Sequence, residues 1–156
     1  MLAAVLSAGT VLAAEAVVRT RVNRAPAEAF PRRLTRRVQI RRAHNTGLVG
    51  SRLENRPALV KGLQTVSALV SVGAAALLYT SGTRTPLWAR IGAGLLVGGA
   101  IANTGERYLS GSVTDYIHLR GSRIPLLRRR IWNLADAAIF NGAVLTAAGL
   151  ALGGKL

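Results

Sequence analysis

Four apolar runs separated by strongly polar connections set the pattern of this chain. The first covers residues 1–18 and is broken only by Glu15 and the small polar Ser7 and Thr10. The second covers about 62–79. The third runs from Pro86 to about Asn103, unbroken over 91–102, and the fourth covers 131–154. Eighteen helical residues at about 1.5 Å each reach roughly 27 Å, enough to cross a thin bilayer. Each run therefore predicts a membrane helix, near 2–18, 60–80, 87–105 and 131–153. No Lys or Arg precedes the first run, so a retained span is expected there rather than a cleaved signal peptide.

The polar connections differ sharply in charge. Residues 19–57 hold eleven arginines, are punctuated by Pro26, Pro31 and Pro57, and predict short strand pairing within 36–52, where Val38-Gln39-Ile40 alternates. The connection 106–130 holds six more, at 107, 120, 123, 128, 129 and 130. Between them lies the turn-rich SGTRTP of 81–86. With four spans, the first and third connections share one side of the membrane, whichever way round the chain sits. Asn45, Asp115 and the Asp136 end of the last helix then lie on one face together. A literal positive-inside count would turn that arginine-rich face to the cytoplasm.

Composition narrows the class. The length, 156 residues, suits one domain, spanning 1–156, with a platform at about 20–57 and a loop at about 106–130. Half the residues are hydrophobic but only 4% are aromatic, so the apolar mass is small side chains suited to close helix packing in lipid. Gly92, Gly94, Gly98 and Gly99 are read as such packing positions. The formal net charge of +15 raises nucleic acid as a partner. No aromatic is interleaved among the arginine clusters for base stacking, however, and their placement between apolar runs favours phospholipid headgroups. Cysteine is absent and neither His44 nor His118 sits in a zinc-binding motif, so no metal is expected.

The only two aspartates, Asp115 and Asp136, both lie beside apolar segments, where an ionisable group is costly and usually functional. They occur in GSVTDYIHL and WNLADAAI. Asp115 is expected in the loop after the third helix, and Asp136 about one and a half turns into the fourth. Singly, each has a structural reading, a turn aspartate for Asp115 and a helix cap for Asp136, three residues after Asn133. Together they are the raw material of an acid/base pair, since two nearby carboxylates share one proton and their pKa values separate.

These phrases carry a family resemblance. GGAIANTGERYLSGSVTDYIHL and WNLADAAI are similar to two signature blocks of lipoprotein signal peptidase, or signal peptidase II. HNTGLVG at 44–50 resembles the family's Asn-Gly block, and EAVVR at 15–19 is a fainter likeness to its first-helix block. Block order and position agree over nearly the whole chain. The departures mark a divergent member. Ala102 precedes Asn103 where the family has Gly, Glu106 precedes Arg107 where it has Asp, and the usual Gln after Glu15 and Phe of the Asn-Gly block are missing.

The resemblance implies an all-α membrane protein, with four transmembrane helices and a small β-rich extracytoplasmic platform. It implies a cofactor-free aspartyl endopeptidase, removing the signal peptide from diacylglyceryl-modified prolipoproteins in the bacterial plasma membrane. The active site would lie near the outer leaflet, with Asp115 and Asp136 catalytic. Asn45, Asn103, Arg107 and Asn133 match polar positions around the pair, and Glu15 and Glu106 match structural support. Arg107 is expected to brace Asp115 or Glu106 rather than bind a peptide carbonyl, because a free cation beside the pair would favour double ionisation. Glu15 and Arg19, four residues apart, either anchor the first helix or support the platform around Asn45. The expected partners are the lipid-modified substrate and membrane phospholipids, the expected state is a monomer, and nucleic acid is excluded. The alternatives are a catalytically silent relative that binds lipidated peptides, and a membrane scaffold whose aspartates only pack.

Overall fold

A computed structural model describes residues 1–48, 52–80 and 85–152. Val49 and Gly50 of the Asn-Gly block, residues 81–84 of the second connection, and 153–154 at the end of the fourth run lie outside them. The elements are α1 (Leu2–Arg24), a 3-10 turn (Ala27–Ala29), β1 (Arg32–Arg33), β2 (Gln39–Asn45), α2 (Pro57–Thr80), α3 (Leu87–Ser110), β3 (Val113–His118), α4 (Pro125–Arg129) and α5 (Leu134–Leu152).

The helix α3 is the axis of the bundle, packed by α1, α2 and α5. Its small residues make that possible. A Cβ on Gly98 would sit 2.8 Å from the Ala8 backbone of α1, and one on Gly99 would sit 2.5 Å from the Ala135 carbonyl oxygen of α5. Backbones approach this closely only where side chains are absent. Gly99→Ala is therefore expected to push out the first turn of α5 and destabilise the fold by about 1–3 kcal/mol. Thermal unfolding in detergent measures it, and an unchanged midpoint would show that the turn yields freely.

The helices α1, α2 and α5 are long and apolar enough to cross a membrane. Their outer faces carry large apolar side chains left bare by the fold, such as Leu69 at 66% and Phe140 at 70% exposure. A surface of this kind suits lipid rather than water. The equally long α3 does not reach that apolarity, so three of the four expected spans are seen on this criterion. Its buried face is glycine and alanine, and it carries Asn103, Glu106 and Arg107 inward.

Several boundaries differ from expectation. The helix α1 runs on to Arg24, and α3 to Ser110, because their polar last turns still bond within the helix. Gly111, at φ 79°, then ends α3 in the left-handed region, its N–H donating to the Arg107 carbonyl at 2.9 Å. That turn aims the chain straight into β3. Asp115 therefore stands on a strand and not in a loop. The three strands form one antiparallel sheet in the order β1-β2-β3, with Ala43 opposite Asp115 and Asn45 opposite Val113. The platform thus recruits a strand from the third connection. Pro125 opens the short α4 as an N-terminal helical residue, and α5 starts only at Leu134, which puts Asp136 in its first turn.

Candidate active site

The strand β3 and the start of α5 each deliver one carboxylate to a cavity of about 640 Å³. Asn45, Asn103, Arg107, Asp115 and Asp136 all line it, together with Gln64 of α2 and Trp132 just before α5. Asn45 follows Ala43 by two residues on β2, so it reaches Asp115 diagonally across the same sheet face.

Asparagine amides hold both carboxylates. Asn133 Nδ2 donates to Asp115 Oδ1 at 2.7 Å, and Asn45 Nδ2 donates to Asp115 Oδ2 at 3.3 Å. Asn103 Nδ2 donates to Asp136 Oδ1 at 2.9 Å. Asn133 also joins the two halves through a reciprocal capping box. Asp136 N–H donates to Asn133 Oδ1 at 2.7 Å, and Asn133 N–H donates to Asp136 Oδ2 at 3.3 Å. The capping role foreseen for Asp136 and its place in the cavity are thus one arrangement.

A layer of charge beneath this shell fixes its geometry. Arg19 Nε lies 2.9 Å from Glu15 Oε2, and Arg19 Nη1 lies 3.0 Å from Glu106 Oε2. Arg19 Nη2 donates to Asn103 Oδ1 at 2.6 Å, so the arginine orients the amide that holds Asp136. Glu15 accepts from the Ala135 N–H and from Tyr116 Oη, tying α1 to the start of α5 and to β3. Among the described residues its bonds do not include Asn45, around which one of its two expected roles would place it. Glu106 accepts from Thr114 N–H at 2.9 Å and Thr114 Oγ1 at 2.6 Å, holding β3 one residue before Asp115.

Arg107 is also placed differently from the expectation. Its guanidinium donates to Gln64 Oε1 and to the carbonyls of Thr46 and Gly47 at 2.9 and 2.7 Å, and its bonds reach neither Asp115 nor Glu106. It clamps the turn after Asn45 onto α3. Arg19, Gln64, Thr114 and Tyr116 complete the support around the site and were not singled out as site residues from the sequence. Gln64 had a visible signal, as a long polar side chain near the start of an apolar run.

The environment tunes Asp115. At 7% exposure, burial pushes its carboxyl up to about 7, and the charge of Asp136 adds to that. The amides of Asn133 and Asn45 and the charge of Arg19 pull the other way. The folded protein therefore holds this proton more tightly than the unfolded chain does. The stability it contributes is full below about pH 4 and is lost as pH rises through about 7. Asp115→Asn removes the titration. The variant should match the parent's melting temperature near pH 4 and exceed it by a margin that grows up to about pH 7, and a gap independent of pH would refute the linkage.

A helical membrane protein in which a small sheet and a helix N-terminus bring two carboxylates into one buried cavity is the class that fold and site define. The sequence model of signal peptidase (SPase) II matches residues 8–152, and the chain belongs to that family. It is 33% identical over 100 residues to the lipoprotein signal peptidase of Thermosynechococcus vestitus and 38% identical over 107 residues to that of Mesorhizobium japonicum. These matches cover 64% and 67% of this chain, and 58% of the length of each relative. Two solved bacterial membrane enzymes, both determined by the in meso method, superpose with TM-scores of 0.73 and 0.75. They cover 95% and 94% of this chain, and 87% and 91% of their own, at 20% and 18% identity, a likeness of fold alone.

Proposed function

We propose that the chain is a membrane aspartyl endopeptidase that removes the signal peptide from diacylglyceryl-modified prolipoproteins. The observation that carries this reading is the convergence of Asp115 and Asp136 in one cavity, each held by asparagine amides, with Asp115 raised to about 7. Near neutral pH such a pair shares a proton. The ionised carboxylate takes a proton from water, whose oxygen attacks the scissile carbonyl carbon, while the protonated carboxyl hydrogen-bonds the carbonyl oxygen. Collapse of the tetrahedral intermediate breaks the C–N bond, and the departing amine receives the proton from the pair. Asn45, Asn103 and Asn133 hold the carboxylates in place, and Arg107, Glu15 and Glu106 hold the elements that carry them.

The cavity wall suits such a substrate. Leu63 and Ser67 of α2 and Ile139, Phe140 and Ala143 of α5 make one side mainly apolar. An apolar signal segment and acyl chains would lie there, with the scissile bond at the carboxylates. The chain as one domain, 1–156, would then use α3 as a fourth span and work as a monomer without metal or organic cofactor. The arginine-rich connections would lie outside the plasma membrane, against anionic headgroups, contributing on the order of 1 kcal/mol per surface arginine. That orientation opposes the simple charge count, which is a statistical bias. Thr35→Cys should therefore react with an impermeant thiol reagent in intact cells, and protection there would reverse the orientation. The direct test of function is cleavage of a diacylglyceryl-modified prolipoprotein by the purified protein in detergent. Absence of cleavage across pH 5–8 would sink the reading.

A further inference from the structure

A second concavity adjoins the first and shares two of its lining residues. Leu48, Arg52, Leu53 and Arg130 form it, and Leu48 and Arg130 also line the cavity of the two aspartates. Arg130 and Leu48 thus stand between them. Arg130 Nη1 is buried without a hydrogen-bond partner, whereas Arg107, the other cation of the first cavity, is engaged through Nε and both terminal nitrogens. Among the described residues the ion pairs belong to Arg19, and Arg130 has none. Apart from the aspartates, no carboxylate among the described residues lines either concavity. A guanidinium partly withdrawn from water and left unmatched is complementary to an anion brought by something else.

Position selects which anion. Arg130 follows α4 and stands three residues before Asn133, and the lining of the second concavity, Leu48, Arg52, Leu53 and Arg130, comes from neither α2 nor α5. Resting on the peptidase reading above, a substrate with its signal segment along the apolar wall of α2 and α5 and its scissile bond at the aspartates sends its other end past Arg130. Arg52, exposed on the turn beyond, extends the cationic path. We propose that Arg130, with Arg52 behind it, forms a subsite for an acidic side chain within the first few residues after the cleavage point. The protein is thereby selective among prolipoproteins by the charge of their mature N-terminal segment.

The test compares two diacylglyceryl-modified prolipoproteins, identical except for Asp or the isosteric Asn at the second and third residues after the modified cysteine. The parent is expected to favour the Asp substrate by about tenfold in kcat/KM, chiefly through KM. Arg130→Gln should bring the ratio to about one by weakening the Asp substrate most, and Arg130→Glu should invert it. Arg52→Gln, on an exposed turn, should lower the preference by about two- to threefold and keep the test open if the Arg130 variants do not fold. Equal cleavage of both substrates by the parent overturns the subsite while leaving the peptidase standing. An equal loss on both substrates in Arg130→Gln likewise overturns it, since a merely structural arginine gives that result. Cleavage of neither substrate by the parent removes the peptidase reading and the subsite with it.

Discussion

Asp115→Asn and Asp136→Asn are each expected to abolish cleavage of a diacylglyceryl-modified prolipoprotein, a loss of about 10³-fold or more. Asparagine keeps the shape of the side chain but cannot give and take the shared proton. The two variants should nevertheless differ in stability, because their carboxylates do different structural work. Asp136 accepts from Asn103 Nδ2 and from the Asn133 N–H that closes the capping box. An amide at 136 offers one oxygen to these two donors, so one of them loses its acceptor, at about 1 kcal/mol. Asp115 likewise faces two amide donors, but replacing it also removes a charge that burial disfavours. Asp115→Asn should thus be inactive and stable, and Asp136→Asn inactive and less stable. Cleavage assays on both variants, alongside thermal unfolding at pH 8, separate these outcomes. Near-normal turnover in either variant would mean that the pair does not carry the chemistry.

What the sequence disclosed about this site follows from what is local. The capping box is legible because Asn133 and Asp136 stand three residues apart, and helix periodicity alone puts them together. The helices were legible from run length, and their ends were not, since the mostly polar Arg19 to Arg24 and Glu106 to Ser110 are helical beyond the expected ends. The strand β3 was hidden for a different reason. It pairs with β2 across about seventy residues of sequence, and its Gly-Ser approach resembles a turn until Gly111 is seen to end α3. The same distance hid Arg19, which meets Asn103 and Glu106 only because α1 crosses the middle of α3 where Gly94 and Gly98 permit it. The resemblance named the amides around the aspartates. It could not say that Arg107 reaches backward to Thr46 and Gly47 instead of toward the pair.

The largest stability loss is expected from Arg19→Gln. This side chain, 8% exposed, is the only cation paired with Glu15 and Glu106 among the described residues, and their side chains are 2% and 15% exposed. Removing it leaves two carboxylates in the protein interior without a counter-charge, which costs about 3–5 kcal/mol. At this chain length the melting temperature should fall by roughly 10 °C. Glu15→Gln should be milder, because Gln can still accept the Ala135 N–H while Arg19 keeps Glu106. The opposite order, with Glu15→Gln the more damaging, would follow if Glu15 supported the platform around Asn45. The double change Glu15→Gln/Arg19→Gln should recover part of the loss, since one stranded carboxylate goes with the cation. Arg19→Lys separates stability from positioning. An ammonium can sit between the two glutamates, but it lacks the planar fork that also reaches Asn103 Oδ1 at 2.6 Å. Asn103 in turn orients Asp136. The lysine variant should therefore regain most of the melting temperature while kcat stays low and KM changes little. If activity instead returns in step with stability, Arg19 serves the fold alone, and the chain of contacts from Arg19 through Asn103 to Asp136 has no part in placing the carboxylate.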